Sequence, residues 1–245
     1  MTYPFKPVEH RIYKKTFLKD VKVIVEFSQV DFSKVNRQFL EGFFSLFSGA
    51  KVDCDKFVKD QRVSIVSEDH NIEFVFCSDY AEAKLCTPLY TCFDNAKQFW
   101  NKIQIYLENL GVKHLKRLIV RKYSALYFKS DTADYNVRSV MNNVFCKDLM
   151  TFIPTEINTD SSLNSLEKTW SQDDDTTKTS FNVVFGIKKS DSVDRNDRLT
   201  LITSLESKDN PFDTTELMNR IEKYNKTLYD AFHWCVKENI ITKMI

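Results

Sequence analysis

Four residues of types that occur in catalytic triads and metal sites lie close together near the end of the chain, in the stretch LYDAFHWCVKENI. They are Asp230, His233, Cys235 and Glu238. A thiol activated by an imidazole is a nucleophile, and a carboxylate can orient that imidazole. The same side chains can also ligate zinc. Whether they act together depends on the helix that carries them.

This stretch belongs to a predicted long helix that begins at Asp213, where Asp213 and Glu216 have the spacing of a capping box. At about 100° per residue, Cys235 falls at the centre of the apolar stripe, whereas His233 points to nearly the opposite side. Side chains on opposite sides of one helix share neither a metal ion nor a proton. We therefore expect Cys235 to be buried and His233 to lie at the surface.

The last apolar residues of the chain fall on the other side of the same helical wheel. They are Ile240, Ile241, Met244 and Ile245. If the helix stays straight to its end, these residues need a second apolar surface, from this chain or from another protein. We expect a protein partner or another copy of the chain to contact them, so that deletion of residues 241–245 impairs binding more than folding.

The composition excludes several classes of protein. The chain has 245 residues, of which 35 are basic and 34 acidic, so nothing demands a polyanionic partner. It has four glycines, too widely spaced for a Walker loop, a dinucleotide-binding turn or a nucleophile elbow. Kinases, common NTPases, Rossmann enzymes and α/β-hydrolases are thereby excluded.

The N-terminus and the cysteines predict a cytoplasmic protein. No signal-peptide pattern opens the sequence, and no apolar run reaches the roughly 18 residues of a membrane span, so no membrane partner is expected. The six cysteines include no Cys-x-x-Cys pair, which favours free thiols in a reducing compartment. No histidine pair has the spacing of a helical zinc site, and we predict neither a metal nor a cofactor.

Hydrophobic periodicity predicts an α+β protein with two similar halves. The element order is β-α-β-β-β-α over residues 1–112 and β-α-β(3–4)-α over residues 113–245. Two tandem units of this kind, joined edge to edge, give one curved antiparallel sheet with long helices on one face, in one continuous globular body. The element order resembles the TATA-binding-protein-like and helix-grip architectures, a resemblance that implies no function.

Several individual elements are predicted from local signals. Helices are expected over residues 33–49 and 94–111, each stopped by a glycine. A long strand is expected at His114–Phe128, and a weaker one at residues 150–154. The acidic run at residues 171–178 lacks the glycine of a calcium loop, which favours a hairpin turn.

The long predicted strand carries the strongest candidate for a ligand-binding site. Alternation places Arg117, Arg121, Tyr123 and Tyr127 on one face, and Lys122 on the other. Sheets that bind nucleic acid or phosphate combine cations with aromatic rings in this way. The alternative is an amphipathic strand whose long side chains reach solvent at the sheet margin. We predict that Arg117, Arg121 and Tyr123 bind an anionic ligand.

Three segments resemble a sporadically distributed, uncharacterised bacterial protein family whose members are about as long as this chain. The segments are residues 12–27 (IYKKTFLKDVKVIVEF), residues 115–126 (LKRLIVRKYSAL) and residues 201–240. They match the family's opening strand, its central basic strand and its closing strand and helix, in the family's order. Together they cover a little under a third of the sequence.

The chain departs from the family pattern in these segments. The family's central glycine corresponds to Ile119 or Val120, an arginine to Lys122, and a histidine of the last helix to Asn225. The family supplies no catalytic residues, but its members often lie near mobile or antiviral defence genes. The resemblance implies a non-enzymatic protein that binds a protein partner, as an accessory or immunity component of a bacterial defence system. Two alternatives are binding of nucleic acid or a nucleotide on the exposed sheet face, and a hydrolase with a dispersed active site.

Overall fold

A computed structural model of the chain shows a mixed α+β fold around one open antiparallel sheet. It describes residues 3–11, 13, 16–34, 51–52, 62–67, 69–87, 93–128, 136–153, 165–173, 178–188, 197–208 and 211–244. Most of the helix predicted over residues 33–49 lies outside these residues. No helix within the described ranges is long and apolar enough to cross a membrane.

The sheet is built from strands of both predicted halves. The strands are β1 (Leu18–Phe27), β2 (Lys51–Val52), β3 (Arg62–Val66), β4 (Ile72–Cys77), β5 (Tyr80–Cys86), β6 (His114–Phe128), β7 (Leu166–Asp173), β8 (Lys178–Lys188), β9 (Asp197–Lys208) and β10 (Phe212–Asp213). Their order is β2-β3-β4-β5-β1-β6-β9-β8-β7, and β10 pairs with β6. All these pairs are antiparallel, and the central pair of β1 with β6 joins the two halves.

Helices pack on one face of this sheet. They are α1 (Phe93–Asn109), α2 (Val137–Val144), α3 (Lys147–Met150), α4 (Leu217–Cys235) and α5 (Glu238–Ile241). Strand residues that point towards them are buried, as Val23, Val120 and Leu205 show. The opposite face of the central strands β5, β1, β6 and β9, called the open face below, carries half-buried polar residues such as Lys22 and Arg121.

Local signals predicted several elements correctly. The strand β6 coincides with the prediction at both ends, and α1 is followed by Gly111, whose φ of 78° favours glycine. The antiparallel pairing of β7 with β8 continues to Asp173 and Lys178, so these strands flank the turn predicted at the acidic run, whose residues 174–177 lie outside the described residues. The strand predicted at residues 150–154 is wrong, because the amides of Met150 and Ile153 make local hydrogen bonds of helix and turn type.

The last long helix ends earlier than predicted. It stops at Cys235, where Val236 leaves the helix and pairs with Phe145 as an isolated antiparallel bridge. The main-chain N–H of Cys146 donates to the carbonyl oxygen of Cys235 at 2.8 Å beside this bridge. A straight helix to the end of the chain is therefore wrong, because pairing with a distant segment interrupts it at Val236, and helical structure resumes as α5 at Glu238–Ile241.

This break turns the apolar end of the chain back into the core. Ile241 and Met244 are 0% and 2% exposed, and Ile240 is half-buried against the same core. Ile245 lies outside the described residues. The predicted partner-binding residues Ile241 and Met244 thus already contact this chain.

Candidate functional site

The residues that could form a triad near the C-terminus serve other roles. Cys235 is fully buried on the core side of α4, and burial raises its pKa well above the usual value. His233 is half-buried on the other side, where its Nε2 makes a short hydrogen bond with the hydroxyl of Tyr13. Asp230 accepts a hydrogen bond from the main-chain N–H of Val8 at 3.0 Å. Cys235 therefore belongs to the core, and the other two dock the N-terminal segment on α4.

Three cations stand in one row across the central strands. Lys84 on β5 pairs with Lys22 on β1, and Lys22 pairs with Arg121 on β6. Directly opposite side chains lie roughly 4.5–5.5 Å apart at Cβ, and like charges at that spacing destabilise a sheet. The row therefore needs compensating negative charge.

Direct ion pairs compensate two of the three cations, and the carboxylate of Asp20 lies near enough to Arg121 for the two charges to interact. Lys22 forms an ion pair with Glu82, and Lys84 forms one with Glu73 at 3.5 Å. No carboxylate among the described residues lies within ion-pair distance of Arg121, and its Nε is buried without a hydrogen-bond partner. Buried polar groups are normally hydrogen-bonded, so the Nε of Arg121 is a donor without a partner beneath the row, and the Arg121 side chain itself lines a recess at this row.

A recess of about 230 Å³ opens at this row. It is lined by Asp20, Lys22, Lys84, Arg121, Tyr123 and Ile202. Pockets that enclose small molecules typically measure roughly 300–1,000 Å³. The recess therefore suits one small polar group, with the rest of a ligand lying on the sheet.

The recess contains one carboxylate among its cations. Burial raises the pKa of Asp20, although the positive charges of Lys84, Arg121 and Lys22 oppose that shift. Burial also raises the pKa of the Tyr123 hydroxyl. The recess thus offers cationic hydrogen-bond donors, one carboxylate acceptor and an apolar side formed by Tyr123 and Ile202.

The structure separates the three residues predicted to bind an anion. Arg121 and Tyr123 both line the recess, but Arg117 does not. Arg117 instead bonds to Glu206 at 2.9 Å and to Glu26 at 2.8 Å, and the hydrogen bond to Glu206 is the main cause of its raised pKa. Arg117 is therefore already neutralised by two carboxylates.

Sequence reasoning missed the other lining residues. Alternation in β1 does place Asp20 and Lys22 on one face, opposite the buried valines. Alternation within β1 cannot show that Lys84 and Arg121 stand beside Lys22. Their positions depend on the register of β1 against β5 and β6, two strands that are distant from β1 in the chain. The charged residues that alternate with alanine in β5 are the sequence signal that points to the same face.

Comparison with known proteins adds no further residue to this site. The chain matches no protein-family model. No curated protein matches it either. Within the described part of the chain, no three His, Cys, Asp or Glu side chains are grouped so that they could hold a metal ion.

Proposed function

We propose that this protein binds a small anionic ligand on the open face of its sheet, with a phosphoryl group of the ligand in the recess. The observation that carries this proposal is the position of Arg121, which lines the recess at the end of a row of three cations and has no carboxylate within ion-pair distance among the described residues. A phosphoryl oxygen can accept from a guanidinium in the paired geometry that favours arginine at such sites.

The charges around the recess favour a small anion over a nucleic acid. Glu26, Glu82 and Glu206 alternate with the cations on the same face, and the whole chain has a net charge of +1. A surface that tracks a polyanionic backbone normally has an extended excess of positive charge. Here three cations and one carboxylate line a single recess, and two of the cations also pair with glutamates, which supports recognition of a single anionic group, such as that of a nucleotide.

No feature of the described surface supports the other functional expectations from the sequence. A protein partner, a role in bacterial defence and a dispersed hydrolase site remain hypotheses. We propose that the sheet consists of two tandem units, of the TATA-binding-protein-like or helix-grip type, and the strand order supports the division into two units. In each half the first strand pairs with the last long one, β1 with β5 and β6 with β9, and the two first strands pair centrally. The recess would then lie where the two units meet.

Calorimetric titration at low salt tests the proposed function. We expect inorganic phosphate and adenosine monophosphate to bind, and Arg121→Gln to weaken both by at least about tenfold, since hydrogen bonds to charged groups contribute about 1.5–3 kcal/mol. Raising the salt concentration should weaken binding, because mobile ions screen exposed charges.

A matched variant separates the recess from general positive charge. Lys116 lies on the same strand as Arg121 and is exposed. Lys116→Gln removes one positive charge and should leave affinity within about twofold. Equal losses in Lys116→Gln and Arg121→Gln, or no heat with either anion in the unmodified protein, would overturn the proposal.

A further inference from the structure

We propose that Asp20 makes the recess selective for phosphate monoesters that carry a hydroxyl group near the phosphate, such as those of polyols, sugars and ribonucleotides. This inference rests on the proposed function, because it assumes that a phosphoryl group occupies the recess beside Arg121. It adds a second contact, between Asp20 and a hydroxyl group of the ligand, and it names the class of ligand. Asp20 becomes the residue that determines specificity, and Arg121 the residue that anchors the anion.

Asp20 is an unexpected residue in a site for a bare anion. Its carboxylate lines the same recess as Lys22, Lys84 and Arg121. A carboxylate repels a bound phosphate across the short distances of such a recess. A recess that had only to hold inorganic phosphate would bind it better with an amide or a hydroxyl at this position.

The charges of Lys84, Arg121 and Lys22 act on this carboxylate, but no direct ion pair within the described part of the chain accounts for it. Among the described residues, Asp20 forms neither an ion pair nor a hydrogen bond through its side chain. Its lysine neighbours are already paired, Lys22 with Glu82 and Lys84 with Glu73. Asp20 therefore has acceptor capacity to offer a ligand, and an ionised carboxylate accepts hydrogen bonds without donating any.

The sheet register gives the spacing between the two contacts. Lys22 stands directly opposite Arg121, and Asp20 stands directly opposite Tyr123 on the same face. Asp20 and Arg121 are therefore diagonal neighbours, a relationship that separates side-chain attachment points by roughly 7–8 Å. One small molecule can place a phosphoryl group at Arg121 and a hydroxyl at Asp20, with its carbon skeleton against Tyr123 and Ile202.

A ligand with an ammonium group at Asp20 is the competing chemistry. A free amino acid would place its carboxylate at Arg121 and its ammonium at Asp20. The polyol phosphate is favoured because Arg121, Lys22 and Lys84 all line the recess, although the two lysines also pair with glutamates. A phosphate monoester carries up to two negative charges and three terminal oxygens, whereas a carboxylate carries one charge and two oxygens.

Two phosphate esters that differ in their hydroxyl groups test the inference on the unmodified protein. Glycerol 3-phosphate carries two hydroxyls beyond the phosphate, and n-propyl phosphate carries none. We expect calorimetry to show that glycerol 3-phosphate binds at least about tenfold more tightly, because a hydrogen bond to a charged group is worth about 1.5–3 kcal/mol. Equal affinities, or tighter binding of glycine than of glycerol 3-phosphate, would overturn the inference.

Asp20→Asn gives a test in which the two ligands respond differently. Removal of the negative charge should tighten binding of n-propyl phosphate and reduce the advantage of glycerol 3-phosphate, because a neutral amide oxygen accepts a weaker hydrogen bond from a hydroxyl than a carboxylate does. Tightening of both esters by the same factor would show that Asp20 only repels anions, and would overturn the inference while leaving the proposed function intact. Absence of binding of both esters and of inorganic phosphate to the unmodified protein would instead remove the proposed function.

Discussion

The amine of Lys122 donates a hydrogen bond to the main-chain carbonyl oxygen of Asn225, with 3.2 Å between Nζ and oxygen. Lys122 follows Arg121 on β6 but projects to the other face, beneath α4. Burial lowers the pKa of Lys122 to about 7, and the negative charge of Asp230 opposes that shift. Two adjacent cations of one strand therefore have different properties: Arg121 lines the recess on the open face, and Lys122 is buried and close to losing its proton at neutral pH.

This relationship predicts that stability rises with pH above neutrality. In the unfolded chain Lys122 titrates near its ordinary pKa of about 10.4. Between pH 7 and that value the unfolded state binds more protons than the folded state, so raising the pH favours folding. We expect the unfolding free energy from urea titrations to gain up to about 1.4 kcal/mol per pH unit from this group. The gain disappears as the pH falls through 7.

Lys122→Met isolates this contribution from other titrating groups. Methionine keeps most of the length of the side chain but has no charge to bury. The variant should unfold at higher urea concentration than the unmodified protein at pH 6, and its stability should change less between pH 7 and pH 9. Lys116→Met, at an exposed position of the same strand, is the control. If the unfolding free energy of Lys122→Met still rises with pH as steeply as that of the unmodified protein, the pH dependence comes from other residues.

His233 predicts a loss of stability in the acidic range. Burial lowers the pKa of His233, an effect to which the positive charges of Arg11 and His10 add and which Glu238 and Asp230 oppose. The unfolded histidine therefore takes up its proton at a higher pH than the folded one. Stability is fully present above an ordinary histidine pKa of about 6.5, and is lost as the pH falls below it.

The same loss should be visible in the N-terminal segment. Tyr13 contacts His233 through its hydroxyl, and the main-chain N–H of Arg11 donates to the Tyr229 hydroxyl at 2.7 Å. We expect limited proteolysis within residues 3–13 to accelerate between pH 7 and pH 5, and His233→Gln to reduce that pH dependence. His114→Gln alters an exposed histidine and should behave like the unmodified protein. Unchanged acceleration in His233→Gln would contradict this account.

The parts of the fold that could be predicted from the sequence are those determined by local signals. The alternation of β6 and the glycine after α1 are encoded within a few residues, and both elements lie where expected. The cation row and the end of α4 are not local. The row requires the register of β1 against β5 and β6, and α4 ends where Val236 pairs with Phe145. The apolar periodicity of the sequence continues beyond Cys235 and therefore predicts a longer helix. Such periodicity contains no information about the pairing of Val236 with Phe145.

The thiol of Cys235 is expected to be inert in the folded protein. The thiolate is the reactive form of cysteine, and burial raises the pKa of Cys235 well above its usual value. Iodoacetamide should leave Cys235 unmodified under native conditions and modify it in urea, as measured by peptide mass spectrometry. Cys86 is half-buried and provides an internal comparison. Alkylation of Cys235 as fast as that of Cys86 would reopen a catalytic role for this thiol.

The C-terminal residues should contribute to folding rather than to association. Ile241 is fully buried, and truncation of a buried isoleucine to alanine costs about 2–5 kcal/mol of unfolding free energy. Ile240→Ala, next to it and half-buried, should cost clearly less. Deletion of residues 241–245 should therefore lower the urea midpoint strongly, contrary to the expectation from a straight helix. A deletion variant that keeps its urea midpoint but loses self-association in analytical ultracentrifugation would show that these residues serve an interface after all.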